Sequence, residues 1–137
     1  MNEAAEFLSD YPGIPVVIDH AGSPYDQSAS GLRIWKNSLS RLAALSHLHI
    51  KLSGFGMYDK YWSSESSQII FDTILEKFSP SRIMWGSNFP VERLTRSYNF
   101  CIKQILKWLS PLSTKDKNRI ASETAQNYYN IAEIIEL

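Results

Sequence analysis

Three places in the chain join a short apolar run to a polar group able to do chemistry. "IPVVIDH" ends in Asp19 and His20, "LHIKLSG" carries Lys51 and Ser53, and "RIMWGSN" ends in Ser87 and Asn88. An imidazole such as that of His20 can ligate a metal, polarise a carbonyl or relay a proton; the structural alternative is a histidine bonded to a neighbouring loop. Lys51 and Ser53 lie two residues apart, so on an extended chain they share a face. A lysine in a short apolar strand is costly to bury unless a carboxylate or substrate anion pairs it; otherwise its stem lies along the strand and its ammonium snorkels to water. Ser53 suits a loop cap as well as a substrate contact, and Ser87 stands beside it as a substrate-binding candidate. The amide of Asn88 both donates and accepts, so it can hold a substrate carbonyl or hydroxyl, but it is a poor base and an infrequent metal ligand. A turn asparagine bonded to its own backbone explains the same residue. His47, at the amino end of its run, and His49, packed or solvent-facing, are weaker candidates.

The elements that must position these groups follow from spacing. The three runs, read as buried strands over 14–20, 48–54 and 82–88, start 34 residues apart. Helical stripes fill the gaps: Leu32, Trp35, Leu39, Leu42 and Ala43; then Ile70, Ile74, Leu75 and Phe78, stopped at Pro80; then Tyr98, Cys101, Ile102, Ile105, Leu106 and Leu109. Ala4, Phe7 and Leu8 read as the end of an earlier helix closed by "YPG". Past "SPLS", Thr114 is the expected N-cap of a closing helix, with Lys117 where a capping box would place Glu, and Ile120, Thr124, Tyr128 and Ile131 continue a stripe. Strands alternating with helices imply parallel strands joined by right-handed crossovers. The fold class is therefore α/β, as an open doubly wound sheet or a stretch of (β/α) barrel, and in both the carboxyl ends of the strands carry the site.

Fourteen basic and fourteen acidic residues cancel, and the basic ones form no stripe. Nucleic acid and acidic membrane surfaces are therefore poor partners, and a small molecule is the expected one. No apolar stretch reaches the ~20 residues of a membrane span, and "MNEAAEFLSD" lacks the basic start of a secretory signal. The single cysteine, Cys101, forms no internal disulfide and suits a reducing cytoplasm. No glycine-rich phosphate loop follows any strand, which argues against a nucleotide-binding open sheet.

At the same three segments, "PVVIDHAGSP", "IKLSGF" and "RIMWGSNFPV", the chain resembles the amidohydrolase-related family, the lactonase-like branch of the amidohydrolase superfamily. The motifs occur in the family's order and approximate spacing. The resemblance implies a (β/α)₈ TIM barrel with these strands as the sixth, seventh and eighth. Residues 1–137 would then be one partial domain: the end of a preceding helix, three βα units and the C-terminal helices. It implies hydrolysis of lactones or related carbonyl compounds by attack of water, often metal-assisted, with some relatives acting as decarboxylases. His20 matches the histidine of the family's "DHxG" motif, which lines the site and can ligate metal or bind substrate. Asn88 matches a position where many relatives carry aspartate, in "GSDWP". An amide is no general base at neutral pH and holds a hard divalent ion, zinc or manganese, less firmly than a carboxylate. Thr124 and Ala125 stand where the family has an "NA" pair.

The family's first-strand "HxH" pair is missing, and three βα units cannot close a barrel that takes roughly 250 residues. The expectation is the C-terminal part of such an enzyme, with Met1 either a true start or a start inside a longer frame. An open strand edge would invite association, including a homo-oligomer. A non-catalytic remnant that associates through that edge is the competing reading.

Overall fold

The computed structural model describes residues 1–131. The chain runs α1 (Asn2–Ser9), β1 (Val16–Ile18), α2 (Ala29–Ala43), β2 (Leu48–Leu52), α3 (Gln68–Lys77), β3 (Ile83–Trp85), α4 (Tyr98–Leu109), α5 (Thr114–Asn118) and α6 (Thr124–Tyr129). The expected order of helix, three βα units and closing helices is the observed one. The strands lie side by side in chain order, all parallel, with Ile18 opposite Ile50 and Ile50 opposite Ile83. Each is shorter than its apolar run. Pro15 has no N–H for a ladder, so β1 starts after it, and past Ile18 the backbone turns left-handed at His20.

Side chains alternate across a strand, so Ile18, Ile50, Leu52 and Ile83 project to one face. There they meet Trp35 and Leu39 of α2, Ile70 and Ile74 of α3, and Cys101, Ile105, Trp108 and Leu109 of α4 in one core. Each fully buried leucine or isoleucine of this core contributes about 2 kcal/mol. The opposite face carries Val17, His49, Lys51 and Met84. Tyr128 packs its ring 4.8 Å from that of His49, and the Lys51 ammonium lies 5.6 Å over the ring of Tyr129, so the closing helix covers part of this second face.

Several local expectations shift. The cap of α5 is Ser113, one residue before Thr114; its Oγ accepts from the Asp116 backbone N–H and donates to the Asp116 carboxylate. In place of the incomplete box around Thr114 and Lys117, Ser113 caps the helix and Asp116 receives its hydroxyl, an acidic partner in the first turn that suits the positive helix end. On α4 the core face runs through Cys101, Ile105, Trp108 and Leu109, while Tyr98 and Leu106 are exposed. Ile131 leaves the last stripe because Asn130, at φ 52°, ends α6 in a left-handed turn and Ile131 is exposed beyond it. At the start, Ala5 rather than Phe7 is buried. Arg82 ties β3 to the end of α2, its guanidinium donating to the carbonyls of Ala43 and Leu45 at 3.0 Å each, which satisfies carbonyls a helix end leaves open.

Candidate active site

The carboxyl ends of the three strands meet as the parallel order requires. After β1, four consecutive residues, His20, Ala21, Gly22 and Ser23, have φ between 52° and 68°. Three of them carry a side chain, so this left-handed run costs backbone energy that its surroundings must offset. Trp35 of α2 anchors it by donating its indole N–H to the Ala21 carbonyl at 2.9 Å. The turn sets His20 beside the end of β2, where Nδ1 lies 3.1 Å from Ser53 Oγ. Ser53 is buried, so it orients the imidazole and leaves Nε2 for other partners. Gly54, at φ 67°, passes so close beneath that a methyl group on it would run into the His20 ring.

Lys51 meets Asp19 at 2.9 Å. Burial, the strongest single influence, pulls the Lys51 ammonium down, but its hydrogen bonds to Tyr129 and Asp19 and the charge of Asp19 hold it above the ordinary lysine value. The pairing that a lysine in an apolar strand requires thus comes from within the chain.

After β3, Asn88 takes φ 56°, and its backbone carbonyl accepts from the N–H of Glu92 at 2.9 Å. Ser87 turns its hydroxyl to the Phe89 N–H at 3.3 Å, a local turn contact. The Phe89–Pro90 bond is cis.

The residue that the motif reading passed over is Glu92. Only 3% exposed, its carboxylate accepts from the Gly56 N–H at 2.8 Å, the Trp62 indole at 2.7 Å and the Asn88 amide at 3.3 Å. Three donors make a buried charge tolerable. Gly56 is a glycine because a Cβ there would meet Thr95 and, at 2.7 Å, Glu92 Oε1. The loop bearing Gly56 and Trp62 is fastened to α4, since Ser64 donates to Gln104 at 2.8 Å and accepts from the Trp108 indole at 2.9 Å. Tyr58 joins this loop to the one after β1, its ring edge-on to Tyr25 at 6.3 Å. Its hydroxyl is buried without a hydrogen-bond partner among the described residues, and burial, then the charge of Glu92, raises its pKa well above that of a free tyrosine. The signal for Glu92 was its place four residues after Asn88, one turn away; nothing in the sequence marked it as buried.

Asp19 is committed to Lys51 and Glu92 to three donors, leaving His20 and the neutral amide of Asn88 as available ligands. Among the described residues no three His, Cys, Asp or Glu side chains gather as a metal group, whereas a catalytic zinc takes three protein ligands. These residues by themselves do not fit a divalent ion.

A family model described as amidohydrolase matches residues 1–131. The chain belongs to that family. An L-fucono-1,5-lactonase of Burkholderia multivorans is 33% identical over 130 residues, covering 86% of this chain and 44% of the relative. An uncharacterized protein of Sinorhizobium fredii is 28% identical over 131 residues, covering 96% of this chain and 44% of the relative. Among solved structures, an amidohydrolase of Burkholderia multivorans with bound zinc superposes with a TM-score of 0.85 at 30% identity, over 95% of this chain and 49% of that one. An amidohydrolase of Bifidobacterium longum superposes with a TM-score of 0.73 at 21% identity, over 96% of this chain and 46% of that one. The chain thus spans about half the length of these relatives, and as an amidohydrolase of lactonase-like kinship its strand-end residues are candidates for hydrolytic chemistry.

Proposed function

We propose that this amidohydrolase segment is the C-terminal arc of a (β/α)₈ barrel that opens a lactone or similar carbonyl substrate by attack of water. The observation that carries the reading is the juxtaposition of His20 with Ser53 across neighbouring strand ends, at 3.1 Å, in a chain whose relatives include named lactonases. The sequential strand order, with α2, α3 and α4 on one face, supports a barrel arc over a doubly wound sheet, which places helices on both faces. In the reaction, water adds to the carbonyl carbon, the ring C–O bond breaks, and the ring oxygen leaves as an alcohol with a proton that began on the water. His20, oriented by Ser53, polarises the carbonyl through Nε2. Asn88 positions water or substrate, because an amide does not take the water's proton at neutral pH. Lys51, with Ser53 two residues on, serves an anionic group that takes the place of Asp19, and Ser87 at the end of β3 is a further substrate contact. Lactones are activated esters, so modest polarisation goes far.

The polypeptide encoded by the whole reading frame around these residues is the material for the test. Assayed with L-fucono-1,5-lactone and a set of other aldonolactones, with and without Zn²⁺ or Mn²⁺, it should turn over at least one, and His20→Asn should lower the rate about 100-fold or more, the scale of a lost polarising group. Absence of turnover in every arm would overturn the hydrolase reading. It would favour the second one, a non-catalytic segment that associates through its open sheet edge, for which the half-length match to the relatives speaks.

A further inference from the structure

Asn88 can present either end of its amide, and the two ends do opposite chemistry: the NH₂ would hold a carbonyl or oxyanion, the oxygen a hydroxyl or a water. We infer that Glu92 is a positioning residue that turns the Asn88 carbonyl oxygen outward and so makes position 88 a hydrogen-bond acceptor for attacking water or a substrate hydroxyl. The inference rests on Asn88 belonging to the site proposed above.

The geometry decides the orientation. Oε1 of Glu92 faces the Gly56 backbone N–H at 2.8 Å and the Trp62 indole N–H at 2.7 Å, two groups that only donate. Oε2 lies 3.3 Å from Asn88 Nδ2. A carboxylate has no hydrogen to offer, so the end of the Asn88 amide that faces it must be the NH₂; amide orientation follows from such networks. Oδ1 is then directed away from Glu92 and has no hydrogen-bond partner among the described residues. The contact is held from both sides. The Glu92 N–H bonds the Asn88 carbonyl at 2.9 Å, and Glu92 is itself locked by the close approach of Gly56. An outward acceptor aligns an O–H bond and points the oxygen lone pair of a water away from the protein. That is a use for an amide that has no capacity as a base.

Hydrogen exchange of the side-chain amides in ¹⁵N-labelled protein tests this without any substrate. The Asn88 NH₂ should exchange about tenfold or more slowly than those of the exposed Asn37 and Asn99. Glu92→Gln keeps an acceptor for Gly56 and Trp62 but sets an NH₂ against Asn88. It should therefore release the Asn88 NH₂ to fast exchange while the Gly56 and Trp62 N–H signals and the melting temperature stay near their original values. Equal exchange of Asn88, Asn37 and Asn99 in the unsubstituted protein would overturn the inference, whether or not the variant folds; so would a folded Glu92→Gln protein with unchanged Asn88 signals. Turnover of L-fucono-1,5-lactone is the separate arm. If slowed Asn88 exchange is found without lactone hydrolysis, the orientation stands and the hydrolase reading falls.

Discussion

At the scale of single residues, the strand ends show how close approach replaces chemical variety. His20 owes its position to three neighbours, each doing one thing: Trp35 pins the turn that His20 opens, Ser53 holds one ring nitrogen, and Gly54 leaves room for the ring. Gly54→Ala puts this to the test. The left-handed backbone alone should cost about 1–2 kcal/mol with a Cβ present, and the methyl group must push the imidazole off Ser53. Urea denaturation should show the loss, and the His20 ring proton signals should shift. Wild-type stability with unmoved ring signals would mean the close approach does not exist in solution.

At the scale of elements, the second face of the sheet is where pH should act. His49 packs against Tyr128, and its Nδ1 is buried with no hydrogen-bond partner among the described residues. Burial, foremost, and the charge of Arg82 keep its pKa below the ordinary 6.5. The unfolded chain therefore takes up a proton near that value which the folded chain resists. The contribution of neutral His49 to stability is present above about pH 6.5 and is lost as pH falls through the lower folded value. The urea midpoint should rise from about pH 5.5 to 7, and His49→Phe should flatten that rise. An equally steep profile in the variant would assign the dependence to other groups. The helices themselves were well marked in the sequence, because a one-sided apolar stripe has a period that strands lack. Their caps were less so: Ser113 and Thr114 are chemically similar neighbours, and which one caps depends on where the chain enters from "SPLS".

At the scale of the whole molecule, Cys101 reports on the integrity of the core. The thiol sits 3% exposed in the cluster that joins sheet and helices, and burial, with the charge of Glu92 adding to it, pushes its pKa up to about 11. A buried thiol held above neutral pH is a poor nucleophile. Iodoacetamide at about pH 8 should modify it only through global opening, so the labelling rate should climb steeply with urea. Rapid labelling without denaturant would show that α4 detaches from the sheet on its own. Among the described residues no helix is long and apolar enough to cross a membrane.

The amino-acid order alone determined the alternation of strands and helices, the parallel arrangement, and the position of the candidate polar residues at three strand ends. These depend on local periodicity and on chain connectivity, both of which are written along the sequence. It also carried the family motifs around His20 and Asn88. Tertiary structure decided which polar groups are spent on each other. Lys51 is taken by Asp19, thirty-two positions away in sequence, and Glu92 gathers donors from Gly56, Trp62 and Asn88. Such pairings depend on distances across loops, and no periodicity encodes them; a buried carboxylate and an exposed one are spelled with the same letter.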